Sequence, residues 1–191
     1  MRRRGSPEVA ASRETPPRIL GVDPGSLRTG WGLVVGSGSR PRLLDCGVIR
    51  LRGGEDLARR LARLQEALAD LVGRLQPTSA AVESPFHGKN VRSVLHLAHA
   101  RGAILATLAA AGVDVVEYAP ATVKKAVTGN GAAPKEQVRG MVHRLLGVEA
   151  DPGPCDLTDA LALALCHAAA RGPLAALARA GLTRPGPGSW R

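Results

Sequence analysis

Four carboxylates stand at the ends of apolar stretches, where an ordinary core would not place them. Asp23 closes Ile19-Leu20-Gly21-Val22, Glu83 closes Ala80-Ala81-Val82, and Asp156 and Asp159 open the run Ala160-Leu161-Ala162-Leu163-Ala164-Leu165. Taking a carboxylate out of water beside a buried strand or helix is costly unless something pairs with it. Gathered together, four such groups make a set of hard oxygen ligands for hard divalent cations, and paired cations suit phosphoryl transfer.

Three of the four also have plainer accounts. Asp23-Pro24-Gly25-Ser26 is a good turn by itself, with Pro setting φ and Gly supplying φ > 0. Asp156 and Asp159, three apart, project from nearly one side of a helix. They would equally serve as an N-cap and a charge facing the positive end of the helix dipole. Glu83 resists such an account, because it ends a strand, where no capping role exists. Asp45 and Glu117 also interrupt strands and are expected to face solvent or an arginine.

Lysine placement and one aromatic residue point to a polyanion. The chain has 22 Arg but only four Lys, namely Lys89, Lys124, Lys125 and Lys135. Where composition has drifted towards Arg, a retained Lys marks a place that needs a compact ammonium rather than a planar fork. Phe86, the single phenylalanine, sits in a loop after Glu83 among Pro85, His87 and Lys89. A core is the default home for Phe; this loop instead suggests a wedge that stacks on or between bases. Thr29-Gly30-Trp31-Gly32 adds small residues where a phosphate-bearing ligand can approach the backbone.

The elements that must position these groups follow from periodicity. Residues 18–23, 29–35 and 43–50 read as three strands joined by short turns, an antiparallel meander. Leu57, Leu61, Leu64, Leu68, Leu71 and Leu75 recur in steps of four and three, one buried face of a helix. A strand over 79–83, a helix over 91–111 and a strand over 114–118 follow. Residues 122–128 suggest a helical turn. Pro134 suits the first turn of a helix reaching Leu146, with Gly147 ending it. The last helix covers 156–170. The order β-β-β-α-β-α-β-α-α mixes a meander with right-handed crossovers, an α/β domain with a mixed five-stranded sheet.

Composition sets the remaining bounds. With 191 residues, 45% apolar, the chain suffices for one domain with a genuine core. Its formal charge of +10 favours a polyanionic partner. Part of the excess lies in residues 1–17 and 172–191, which read as disordered basic tails flanking a domain at 18–171. No apolar run is expected to be long and Arg-free enough to span a bilayer, and Met1-Arg2-Arg3-Arg4 is followed by no apolar signal core. Three cysteines give no disulfide framework and suit a reducing cytoplasm.

The set Ile19-Leu20-Gly21-Val22-Asp23-Pro24-Gly25-Ser26-x-x-Thr29-Gly30, followed by Val82-Glu83-x-x-Phe86-x-x-Lys89-Asn90, resembles the bacterial Holliday-junction resolvase family RuvC. Ala100-Arg101-Gly102, Val123-Lys124, Lys135-x-Gln137-Val138 and Asp156-x-x-Asp159-Ala160-Leu161-Ala162 complete the match over about residues 18–170. The resemblance implies an RNase H-like fold, a homodimer and two Mg2+ or Mn2+ ions per subunit at an acidic site. By position Asp23, Glu83, Asp156 and Asp159 match the family's catalytic, metal-binding carboxylates. Phe86 matches its junction-stacking aromatic, and Lys124 and Lys135 match basic residues near the scissile strand. Lys89, Asn90, Arg92 and Lys125 join them as expected DNA contacts. The implied activity is symmetric nicking of four-way junction DNA, leaving 5′-phosphate and 3′-hydroxyl ends, in recombination and repair. A branch-migration complex of RuvA and RuvB is the implied delivery partner. Two other readings stand beside it: a junction-binding protein without catalysis, and a fragment of an actin-like ATPase, whose first phosphate loop is similar. The second lacks the Gly-rich second phosphate loop that such a fold needs. Departures from the family pattern are the long N-terminal extension and Cys155 before Asp156.

Overall fold

A computed structural model describes residues 15–38, 41–84, 91–148 and 155–172. Five strands, β1 (Arg18–Asp23), β2 (Arg28–Val35), β3 (Arg42–Arg50), β4 (Ser79–Glu83) and β5 (Asp114–Tyr118), form one sheet in the order β3-β2-β1-β4-β5. The first three are antiparallel, while β4 and β5 run parallel to β1. Helices α1 (Leu57–Leu75), α2 (Val91–Ala110), α3 (Pro120–Thr128), α4 (Lys135–Leu146) and α5 (Cys155–Ala170) cover it. This is the mixed sheet expected from the sequence.

Side-chain alternation divides the core in two. Leu20, Val22, Trp31 and Leu33 pack with Leu64, Leu68, Ile104 and Leu108 under α1 and α2. Ile19, Val34 and Ala81 pack with Leu161, Leu163 and Ala164 of α5 and with Val123, Val138 and Val142 of α3 and α4. Period-two alternation assigns the strand residues to one or other of these layers, except at Leu44 of β3, where the register shifts opposite Leu33 and Val34. Helix α1 starts at Asp56, whose carboxylate accepts the Arg59 N–H at 2.9 Å, and its leucine stripe is buried at Leu64, Leu68, Leu71 and Leu75.

Several boundaries move from expectation. Residues 120–128 form nine helical residues because Pro120 occupies the first turn, with φ already set for a helix. Pro134 instead stands just outside α4, extended at ψ 159°, so that Lys135 is the first helical residue. Asp45 and Glu117 meet arginines as anticipated, Arg74 at 3.4 Å and Arg101 respectively. Ser93–Ala110 is long and apolar enough, by length and composition, to cross a membrane, although it is not free of arginine, since it contains Arg101. In the fold that segment packs on the sheet through Ala100, Ile104 and Leu108, with Arg101 hydrogen bonded.

Candidate active site at the carboxyl ends of the parallel strands

Ile19 and Ala81 belong to the α5 layer, so alternation carries Asp23 and Glu83 onto that face, at the carboxyl ends of β1 and β4. The parallel register aligns Val22 with Val82, which makes the two acids neighbours in adjacent strands. Tyr118 pairs with Glu83 and extends the row onto β5. Two acids expected to meet from far apart in the chain therefore share one end of the sheet, as the crevice at a topological switch point requires.

Helix α5 brings the other pair. A Cβ on Gly21 would lie 1.9 Å from the Ala160 carbonyl oxygen and 2.8 Å from the Ala164 nitrogen, and one on Gly32 would lie 2.4 Å from a Leu161 methyl. Hydrogen in place of a side chain lets the helix backbone sit directly on β1 at Gly21 and leaves room over β2 for the Leu161 side chain at Gly32. The first turn of α5 thereby stands over the end of β1. Gly32, read from sequence as room for a ligand, serves this packing instead. Asp156 is the second residue of the helix, inside it rather than its cap.

Electrostatics link three of the groups. Glu83 is held above its ordinary carboxylate value of 4.5, first by burial and then by the Asp159 charge, while Lys135 pulls the other way. The Lys135 ammonium lies 3.7 Å from Asp159. That pair is largely exposed, so it stabilises the fold little; its importance is that it puts a cation at the site's margin. Lys124 and Lys125 lie on α3, beside α5 and α4 in the same layer. Phe86, Lys89 and Asn90 lie outside the described residues, as do the side chains of Asp156 and Arg92. Among the described residues no group of three or more His, Cys, Asp and Glu side chains is gathered to hold a metal.

A raised carboxylate pKa means that the folded chain prefers Glu83 protonated. The cost of its charge is present above the raised pKa and is relieved as the pH falls through that value towards 4.5. Glu83→Gln is therefore expected to raise the thermal midpoint of the metal-free protein at neutral pH. The advantage over the parent should shrink on acidification towards the ordinary carboxylate range, as Glu83 itself becomes neutral. Thermal scans of both proteins across this range check it; an advantage that does not change with pH would count against a strained Glu83.

Two supports were not assigned from sequence. Arg101 of α2 donates through Nε to the Glu83 carbonyl at 3.2 Å and pairs through Nη2 with Glu117. It braces the end of β4 from the face opposite the carboxylates. Its signal was a lone cation among Ala100, Ile104 and Leu108. Beneath α5, the Tyr118 hydroxyl and Ser79 Oγ meet the two ring nitrogens of buried His167, at 2.8 and 3.1 Å. This chain of hydrogen bonds ties α5 to both β4 and β5. A single histidine ending an Ala/Leu helix was the trace of it.

A family model described as crossover junction endodeoxyribonuclease RuvC matches residues 19–167. Proteins of that description from Chlorobaculum parvum and Moorella thermoacetica are 47% and 49% identical over 148 and 150 residues. Each match covers 78% of this chain, and 79% and 90% of those proteins respectively. The solved structure of T. thermophilus RuvC in complex with Holliday junction substrate superposes with a TM-score of 0.76 at 35% identity, covering 88% of this chain and 99% of that one.

Proposed function

The chain belongs to the RuvC family of crossover junction endodeoxyribonucleases, and from that premise we propose that Asp23, Glu83, Asp156 and Asp159 form its catalytic centre. The observation that carries the assignment is the alignment of Asp23 and Glu83 on adjacent parallel strands, with Asp159 close enough to raise the Glu83 pKa. The substrate is four-way junction DNA, nicked symmetrically to leave 5′-phosphate and 3′-hydroxyl ends.

The donor set fits divalent cations. Its side chains are hard oxygen donors, and the mutual repulsion of Glu83 and Asp159 is a strain that bound positive charge relieves. Two Mg2+ or Mn2+ ions per subunit would be held by the four carboxylates and would supply Lewis acidity to activate water and neutralise the departing oxygen. The protein's own residues do the rest. Lys135 at the margin of Asp159, with Lys124 on α3, holds the phosphate and offsets its growing charge. The brace from Arg101 fixes the strand end that aims Glu83. Lys89, Asn90, Arg92 and Lys125 supply backbone contacts, and Phe86 stacks into the junction.

A homodimer gives the two-fold symmetry that paired nicks require. Val91, Leu95 and Leu97 of α2, exposed to 73%, 52% and 42%, present the apolar surface for it. RuvA and RuvB would deliver the junction in the cytoplasm.

Cleavage of a synthetic four-way junction with Mg2+, Mn2+ and Ca2+, against linear duplex, tests this reading. Paired symmetric nicks in Mg2+ or Mn2+, and none in linear duplex, are expected. Junction binding without nicking in any metal would leave a non-catalytic binding protein.

A further inference from the structure

Arg28 and Arg50 lie directly opposite each other on β2 and β3. The Leu51 N–H donates to the Leu27 carbonyl at 2.9 Å, which makes the arginines a non-hydrogen-bonded pair. In such pairs the facing side chains stand closest, with Cα atoms ~4.5 Å apart. Like charges so placed weaken a sheet. Both residues are exposed, and among the described residues neither has a carboxylate partner.

Their face is fixed by alternation. Gly32 meets Leu161 of α5, so Gly30 and Arg28 share that face. Across the ladder Cys46, Val48 and Arg50 follow, opposite Gly32, Gly30 and Arg28. Asp23 is opposite Gly30 on the other side. The arginine pair therefore stands on the carboxylate face, one pleat outward from Asp23, and Gly30 contributes no side chain to the space between. Lys135 occupies the site's other margin, beside Asp159.

We infer that Arg28 and Arg50 together grip a backbone phosphate of the DNA strand whose adjoining phosphate lies at Asp23. A guanidinium matches phosphate with two parallel N–H donors, and an anion between two such forks turns their repulsion into attraction. A local rule broken beside a functional site is what a binding role explains. The inference rests on the junction-nuclease reading above.

The test uses the full chain and a synthetic four-way junction, with binding measured in EDTA across a salt series. The double variant Arg28→Gln/Arg50→Gln is expected to lose affinity on the order of tenfold per arginine at 0.1 M salt, and its salt slope should fall by about two. Its thermal midpoint should equal or exceed the parent's. Arg28→Glu, which places opposite charges across the ladder, should be at least as stable as the parent yet bind weakly. A methylphosphonate next to the cut site should weaken the parent's binding and leave the double variant's unchanged. Parental affinity and slope in both variants would overturn the inference, provided that the parent cuts junctions. Weak binding accompanied by a lowered midpoint in both variants would assign the pair to the fold instead. A parent that neither binds nor cuts would remove the functional reading itself.

Discussion

Asp23→Asn is expected to lower junction cleavage by about a thousandfold or more, the scale of ~4 kcal/mol of transition-state stabilisation that a metal site provides. The substitution preserves shape and a hydrogen-bonding group while removing a charged oxygen ligand. Asp23 is only half-buried and ends its strand, so the variant should fold as the parent does. Junction affinity in EDTA should hold or rise, because a negative charge facing the phosphates is removed. Single-turnover cleavage and equilibrium binding separate the two effects. Cleavage at the parental rate would sink the assignment of the site.

The second large effect is expected at Gly21. Its substitution by Ala sets a methyl 1.9 Å from the Ala160 carbonyl oxygen, a clash with backbone on both sides. No side-chain rotation relieves it, so α5 must back away from β1. Overpacking of this kind costs about 3 kcal/mol or more, or roughly 10 °C in thermal midpoint for a domain of this size. Gly32→Ala meets only the Leu161 side chain, which can turn aside, and should cost clearly less. Because Asp159 rides on the displaced helix, Gly21→Ala should also slow cleavage per folded molecule. Unfolding curves and folded-fraction-corrected rates check both statements. Equal midpoints for the two variants would mean that helix and strand are not in backbone contact.

Much of this architecture was written in local patterns. The leucine stripe of α1 and the alternation of the strands announce themselves because burial repeats with the period of the element. The four acids were visible as a set because each stands at the end of an apolar run, although taken singly only Glu83 lacked a plainer account. What stayed hidden depends on register. Nothing near Gly21 tells that Ala160 will lie against it, and nothing in Arg28 or Arg50 tells that they face one another. Arg101 could be noticed as a misplaced cation, but its partners, Glu117 and the Glu83 carbonyl, are known only once α2 is laid across β4 and β5. Pairing across the sheet is a property of the whole chain.

That dependence bears on when the protein becomes dangerous to DNA. Residues 19–22 must wait for 79–82 to be made before β1 acquires its parallel neighbour, and α5, which carries the remaining acids, is translated later still. Contacts so distant in the chain form late. On the proposed assignment, a nascent polypeptide with only its sheet in place would hold Asp23 and Glu83 without Asp156 and Asp159, and competence to cut is expected only after α5 has been made.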